Sequence, residues 1–199
     1  PKFHFDEFEP PAGRAIVIDP ASDNVKADYN GIGLVGLYDG IPVLEEADLG
    51  RYSPYELIKR AFLLGFRTGA RLICVEKIAL QSTYLFWFNK VAVDNGIDGF
   101  YFMPLSVGGY SKNHKIKVAL TEFSKSEVLV KSQVMPLLVN EIIKWDPMRT
   151  KNQDTTLDLL SFCKKVVEQY GELMLMPDTL EMSSIANSGP RDVSENCDF

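Results

Sequence analysis

Three carboxylates stand where chemistry could be done. Asp19 closes the apolar run Ala15-Ile16-Val17-Ile18, Glu76 closes Leu72-Ile73-Cys74-Val75, and Asp154 opens the last helical stretch of the chain. An ionised carboxylate beside a buried strand is costly unless positive charge accompanies it. If the two strands are neighbours and the helix start packs over their ends, the three acids converge, and their mutual repulsion calls for cations. A donor set made of carboxylate oxygens suits Mg²⁺ or Mn²⁺. A pair of such ions about 4 Å apart can activate a water and stabilise the leaving oxygen of a phosphodiester, the two-metal route to nucleic-acid hydrolysis. Each acid also has a structural alternative: a turn at Asp19-Pro20, an ion pair of Glu76 with Lys77 or Arg71, and a helix N-cap for Asp154.

These acids need elements to position them. The β-branched run over residues 14–19 reads as a strand buried on both faces, and Pro20, which has no N–H to donate, ends its pairing. Residues 33–38 and 41–45 flank Asp39-Gly40, a strong hairpin signal. Ser53-Pro54 opens a helix as N-cap and first helical residue, with Tyr55, Leu57, Ile58, Ala61, Phe62, Leu64 and Gly65 as its apolar face. A second buried strand spans 71–76, a helix runs from about 80 to 94 and closes at Asn95-Gly96, and a fifth strand covers 99–105. A glycine-containing mobile loop at 107–111, a basic helix over 112–123, a short strand at 128–130 and helices over 134–145 and from 154 follow. The last has acids in its first turn and Lys164-Lys165 later, as the helix dipole favours. The order predicts an α/β domain, a mixed sheet with helices packed on it.

Other motifs carry less. Gly31-Ile32-Gly33-Leu34-Val35-Gly36 spells the dinucleotide fingerprint, but it enters a strand instead of leaving one for a helix, so small-residue packing is the expected role. His4 and His114 have no zinc-type spacing to Cys or Asp, and no G-x-S-x-G elbow occurs. Cys74, Cys163 and Cys197 are odd in number and far apart, which predicts a reducing compartment and no disulfide framework, and Cys74 and Cys163, set in apolar runs, read as buried small hydrophobes.

The 199 residues are 46% apolar and 24% charged, ordinary values for one folded domain. No run approaches the roughly 18–20 apolar residues of a membrane span, and the start lacks a signal peptide's layout, so a soluble, non-secreted domain is expected. The chain opens on Pro1, as would an excised piece of a longer protein or a chain whose initiator Met is removed before Pro. Net charge is −6, which at first argues against a polyanionic partner. Its distribution says otherwise. Residues 172–199 hold −5 of it in a polar stretch without periodicity, expected to be a disordered acidic tail, whereas residues 111–131 carry a local +3.

At this point residues 14–170 resemble a known family, the C-terminal nuclease domain of the large terminase subunit of tailed bacteriophages and herpesviruses. The resemblance rests on Ile16-Val17-Ile18-Asp19-Pro20-Ala21-Ser22, on Ala27-Asp28-Tyr29-Asn30-Gly31-Ile32, on Val75-Glu76, on Ser111-Lys112-Asn113-His114-Lys115-Ile116-Lys117 and on Asn152-Gln153-Asp154-Thr155-Thr156-Leu157-Asp158-Leu159-Leu160. It implies an RNase H-like mixed β-sheet flanked by helices over residues 1–171, and a Mg²⁺- or Mn²⁺-dependent endonuclease that cuts concatemeric double-stranded DNA during genome packaging. Asp19, Glu76 and Asp154 would be catalytic and hold two ions. Where the family often has two adjacent aspartates this chain has Gln153-Asp154, so Asp158, one helical turn on, is the fallback ligand, and Asp28 is an auxiliary one. Lys112, Lys115 and Lys117 would contact phosphates. The implied partners are an N-terminal ATPase motor domain, a small terminase subunit and a capsid portal, in the cytoplasm of the infected host cell. No G-x-x-x-x-G-K-[ST] occurs, so the piece is not expected to use ATP. A junction resolvase or integrase-like enzyme of the same fold, and a catalytically silent module that docks on DNA or a portal, are the alternatives.

Overall fold

Runs rich in Val, Ile and Leu pair into one sheet, and the stretches with apolar residues three and four apart become the helices that cover it. The computed structural model describes residues 4–5, 10–21, 29–77, 83–149 and 152–175. The strands are β1 (His4–Phe5), β2 (Gly13–Asp19), β3 (Asn30–Tyr38), β4 (Ile41–Gly50), β5 (Leu72–Glu76), β6 (Tyr101–Leu105) and β7 (Leu129–Lys131). The helices are α1 (Pro54–Thr68), α2 (Leu85–Asn95), α3 (Lys112–Ser124), α4 (Met135–Lys144) and α5 (Thr155–Met174). Spatial order is β1-β7-β4-β3-β2-β5-β6. β2, β3 and β4 form an antiparallel meander, while β5 pairs parallel to β2 and β6 parallel to β5. The expected α/β architecture is therefore the one observed.

Alternation along the strands decides what each face buries. Ile16 and Ile18 of β2 and Ile73 and Val75 of β5 join a core with α1 and α2. Ala15 and Val17, with Leu72 and Cys74, join a second core with α3, α4 and α5. Continuing the parity by one step puts Asp19 and Glu76 on this second face, under α5. The sheet is thus buried on both sides, as its continuous apolar runs required.

Local chemistry sets the boundaries. Asp39 and Gly40 take φ of 50° and 80°, giving the two-residue hairpin whose twist matches its strands. Ser53 and Glu56 form a reciprocal capping box on α1, which closes at Gly69 with φ 77°. β4 runs to Gly50, five residues beyond the expected end, because residues 46–50 keep pairing with residues 30–34 of β3 past Glu45, which is inserted as a bulge between the pairs Leu34–Glu46 and Val35–Leu44. That bulge residue is 1% exposed. Its carboxylate accepts from Arg14 Nε at 2.6 Å, from Lys131 Nζ at 2.7 Å and from the Tyr38 hydroxyl, tying β2, β3, β4 and β7 together at the end of the sheet remote from Asp19. Burial alone would push the Glu45 carboxyl up; the Arg14, Lys131 and Tyr38 hydrogen bonds outweigh it and hold it below its usual range.

The G-x-G-x-x-G segment lies within β3, as its position predicted. A Cβ on Gly31 would stand 2.6 Å from Thr155 Cγ2, and one on Gly33 would stand 3.0 Å from Val17 Cγ2 and 3.4 Å from Leu159 Cδ2. These glycines let α5 lie close on the sheet. Cys74 and Cys163 are buried and unbridged, as expected; Cys197 and Asp28 lie outside the described residues. α5 continues through Met174, which packs beside Gly13, and residues 176–199 also lie outside. Among the described residues no helix is long and apolar enough to cross a membrane.

Candidate active site

The carboxyl ends of two adjacent parallel strands, where a ligand crevice commonly opens in α/β sheets, carry the first two acids. Ile18 of β2 pairs with Val75 of β5, so Asp19 and Glu76 follow side by side. α5 brings the other two. Asp154 is its N-cap residue and Asp158 lies one turn on; they are 5% and 7% exposed. The expected convergence is present, and it includes both the preferred and the fallback aspartate.

Their charge is partly balanced by α3. Ser111 caps this helix by accepting from the His114 N–H at 3.3 Å, and its first turn then aims two lysines inward. Lys112 Nζ stands 2.7 Å from Asp154 Oδ1 and 2.7 Å from Asp158 Oδ2. Lys115 Nζ stands 2.8 Å from Glu76 Oε1. Two of the three lysines expected to meet phosphates, Lys112 and Lys115, are therefore engaged with the acids. Lys117, two residues beyond Lys115, is exposed on another face of α3. His114 is exposed and stacks on Tyr110 with ring centroids 4.6 Å apart.

The electrostatics report a shortage of positive charge. Burial pushes the Asp19 carboxyl well above the ordinary carboxylate range; Asp158, Glu76 and Asp154 push the same way, and Lys112 opposes them. Asp158 exerts the largest repulsion of the three. Asp158 itself is pushed up to about 6, by burial first, with Lys112 pulling it back. Burial alone would lower the Lys112 ammonium, but Asp158 and Asp154 together hold it above the usual lysine range.

Whether these residues suit a metal turns on their chemistry. Among the described residues no three Asp, Glu, His or Cys side chains are gathered closely enough to hold an ion between them. Yet four carboxylates converge, Asp19 and Asp158 are disfavoured as anions by burial and mutual repulsion, and ammonium groups stand at hydrogen-bond distance from Asp154, Asp158 and Glu76. All-oxygen donors in need of cationic charge fit Mg²⁺ or Mn²⁺. Lys115 also lines a neighbouring cavity of about 350 Å³ between the 106–110 loop, α3 and α5, but none of the four acids does.

One residue of this region has no place in the sequence reading. Glu141 of α4 is 4% exposed; it accepts from Thr156 Oγ1 at 2.9 Å and from the Leu157 N–H at 3.0 Å. The available signal was an acid on the stripe Leu138, Glu141, Ile142 and Trp145, where helical spacing otherwise places apolar residues.

No protein-family model matches the chain, and no curated protein matches it in sequence. Solved structures do. The large terminase nuclease of the thermophilic phage G20c aligns with a TM-score of 0.57 at 15% identity, covering 79% of this chain and 82% of that one, and its cobalt-bound form with 0.51 at 16%, covering 75% and 80%. The human cytomegalovirus terminase nuclease domain, Mn-soaked and inhibitor-bound, aligns with 0.54 at 10%, covering 83% and 87%. The large terminase of the thermophilic bacteriophage D6E in complex with ADP aligns with 0.55 at 14%, covering 81% of this chain but 41% of that longer one. At such identities what is shared is the fold: the chain has the RNase H-like fold of terminase nuclease domains.

Proposed function

We propose that this domain is a divalent-metal-dependent DNA endonuclease of the terminase kind, acting on double-stranded DNA. The observation that carries the reading is the gathering of Asp19, Glu76, Asp154 and Asp158 at the ends of two parallel strands, with Lys112 and Lys115 as their counter-charges. The fold shared with metal-soaked nuclease domains supports it.

In this reading Asp19, Glu76 and Asp154 hold the Mg²⁺ or Mn²⁺ ions and Asp158 joins them. The ions would polarise the phosphodiester and lower the pKa of water at the site. The chain's own part is positional. β2 and β5 fix Asp19 and Glu76 in register, and α5 sets Asp154 and Asp158 on one face. With the carboxylates' charge met by the ions, Lys112 and Lys115 would be available to phosphate oxygens, while exposed Lys117 would contact the backbone further out. Those contacts position the duplex without reading its sequence. A larger assembly with an ATPase motor, a small subunit and a portal belongs to the same reading, supported by the way the chain spans part of an ADP-bound terminase.

The test is plasmid cleavage in Mn²⁺ by wild type and Asp19→Ala. Cleavage by wild type and loss in the variant is expected; equal cleavage by both overturns the assignment. The paired lysines also favour a second reading, a DNA-docking module whose acids are neutralised internally. Absence of Mn²⁺ uptake up to millimolar concentration would establish that reading instead.

A further inference from the structure

We propose that Glu141 is a positioning residue for the acidic cluster: reaching across from α4, it caps α5 in place of Asp154 and so leaves the Asp154 carboxylate free to face the site. The inference rests on the reading of that cluster as the metal-binding centre, but its geometry stands independently. An aspartate at an N-cap position ordinarily accepts from the N–H two or three residues on. In α5 those donors are Thr156 and Leu157, and Asp154 caps neither of them. Glu141 Oε2 takes the Leu157 N–H at 3.0 Å and Oε1 takes the Thr156 hydroxyl at 2.9 Å. Both oxygens of a buried carboxylate are thus spent on the first turn of a different helix, with no ion pair to Glu141 among the described residues. Such burial is costly without a cation, and the hydrogen bonds from the positive end of α5 offset part of that cost.

The substitution has a consequence for Asp154. With its usual partner already taken, its carboxylate turns to Lys112 at 2.7 Å and adds to the repulsion on Asp19. With an apolar residue at 141, the Leu157 N–H would be left to the ordinary N-cap acceptor, the Asp154 side chain, and capping would draw that carboxylate from the cluster. α4 therefore serves the site without touching it.

Four proteins test this in EDTA, where no metal enters: wild type, Asp154→Ala, Glu141→Ala and the double variant. In the wild-type background Asp154→Ala should leave Tm unchanged or raise it, since that carboxylate caps nothing and its lysine partner is half exposed. In the Glu141→Ala background the same change should lower Tm by about 3 °C, the loss of an ordinary N-cap in a domain of this size. Equal shifts in the two backgrounds overturn the proposal. Mn²⁺ titration followed by electron paramagnetic resonance gives a second readout: Glu141→Ala should weaken binding about tenfold, whereas Glu141→Gln, whose amide oxygen still accepts, should stay within about threefold. If wild type takes up no Mn²⁺ but the thermal coupling is present, the metal reading fails and the positioning role stands. If wild type and Glu141→Ala bind Mn²⁺ alike, the positioning role fails and the metal reading stands. Should Glu141→Ala not fold, Glu141→Gln decides: retained affinity supports the proposal, and a loss of about tenfold or more overturns it.

Discussion

Lys112 is the residue on which the cluster's present balance turns, because one ammonium group serves both Asp154 and Asp158. A cation bound to those carboxylates must displace it. Lys112→Ala should therefore strengthen Mn²⁺ binding about fivefold, the worth of a partly exposed ion pair, as isothermal titration calorimetry would show. The same variant should weaken duplex binding, since a phosphate contact goes with it. Protonation answers the same shortage of charge. The folded Asp158 carboxyl sits at about 6, against about 3.9 in an unfolded chain. Between those values the folded state binds more protons than the unfolded one, so the metal-free domain should lose stability as pH rises from about 4 to about 6. Asp19, raised in the same direction, adds to the decline. Thermal melts in EDTA across that range measure it, and millimolar Mn²⁺ should abolish the decline by supplying the charge that the protons gave.

At the scale of elements, the site depends on how closely α5 can approach β3. Gly31 lies opposite Asp19 in the ladder and beneath Thr155, the first residue of the helix that carries Asp154. Gly31→Ala would place a methyl 2.6 Å from Thr155 Cγ2, and the start of α5 must lift to accept it. Overpacking of this kind costs about 1–3 kcal/mol. The expected outcome is a lower denaturation midpoint together with weaker Mn²⁺ binding, measured on the same preparation. Gly40→Ala, at the remote hairpin tip with open space around it, should cost stability through its φ of 80° while leaving Mn²⁺ binding intact. The contrast separates damage to the site from damage to the fold. It also explains why a glycine pattern that spells a nucleotide motif belongs here to helix packing.

For the molecule as a whole, the net charge of −6 is a poor guide to its partners. The acids Asp19, Glu76, Asp154 and Asp158 sit together, and the first turns of α3 supply the facing cations. Binding to a short duplex should be weak in EDTA and stronger in Ca²⁺, which relieves the carboxylates and frees the lysines. With Lys112, Lys115 and Lys117 on phosphates, the logarithm of affinity should fall with the logarithm of salt at a slope of about −3, and Lys117→Ala should reduce that slope by about 1. Fluorescence anisotropy over a salt series measures both.

Much of this was legible in the residues themselves. Strand runs ending in Asp19 and Glu76, the Ser53-Pro54 helix start, the Asp39-Gly40 hairpin and the basic stretch before Phe123 are local signals, carried by side-chain branching, backbone preference and capping chemistry. Period-two alternation even fixed each acid on the same strand face as its alternate neighbours. What alternation cannot state is which helix covers that face, because that depends on contacts between residues more than a hundred positions apart. Only the tertiary structure put α5 over Gly31 and Gly33, brought Asp154 and Asp158 to Asp19 and Glu76, and set Lys112 and Lys115 beside those acids as counter-charges. It also reassigned the cap of α5 to Glu141, a residue on another helix. Hydrogen-bond donors at a helix end donate to whichever oxygen the fold delivers, and that choice is made in space, not along the chain.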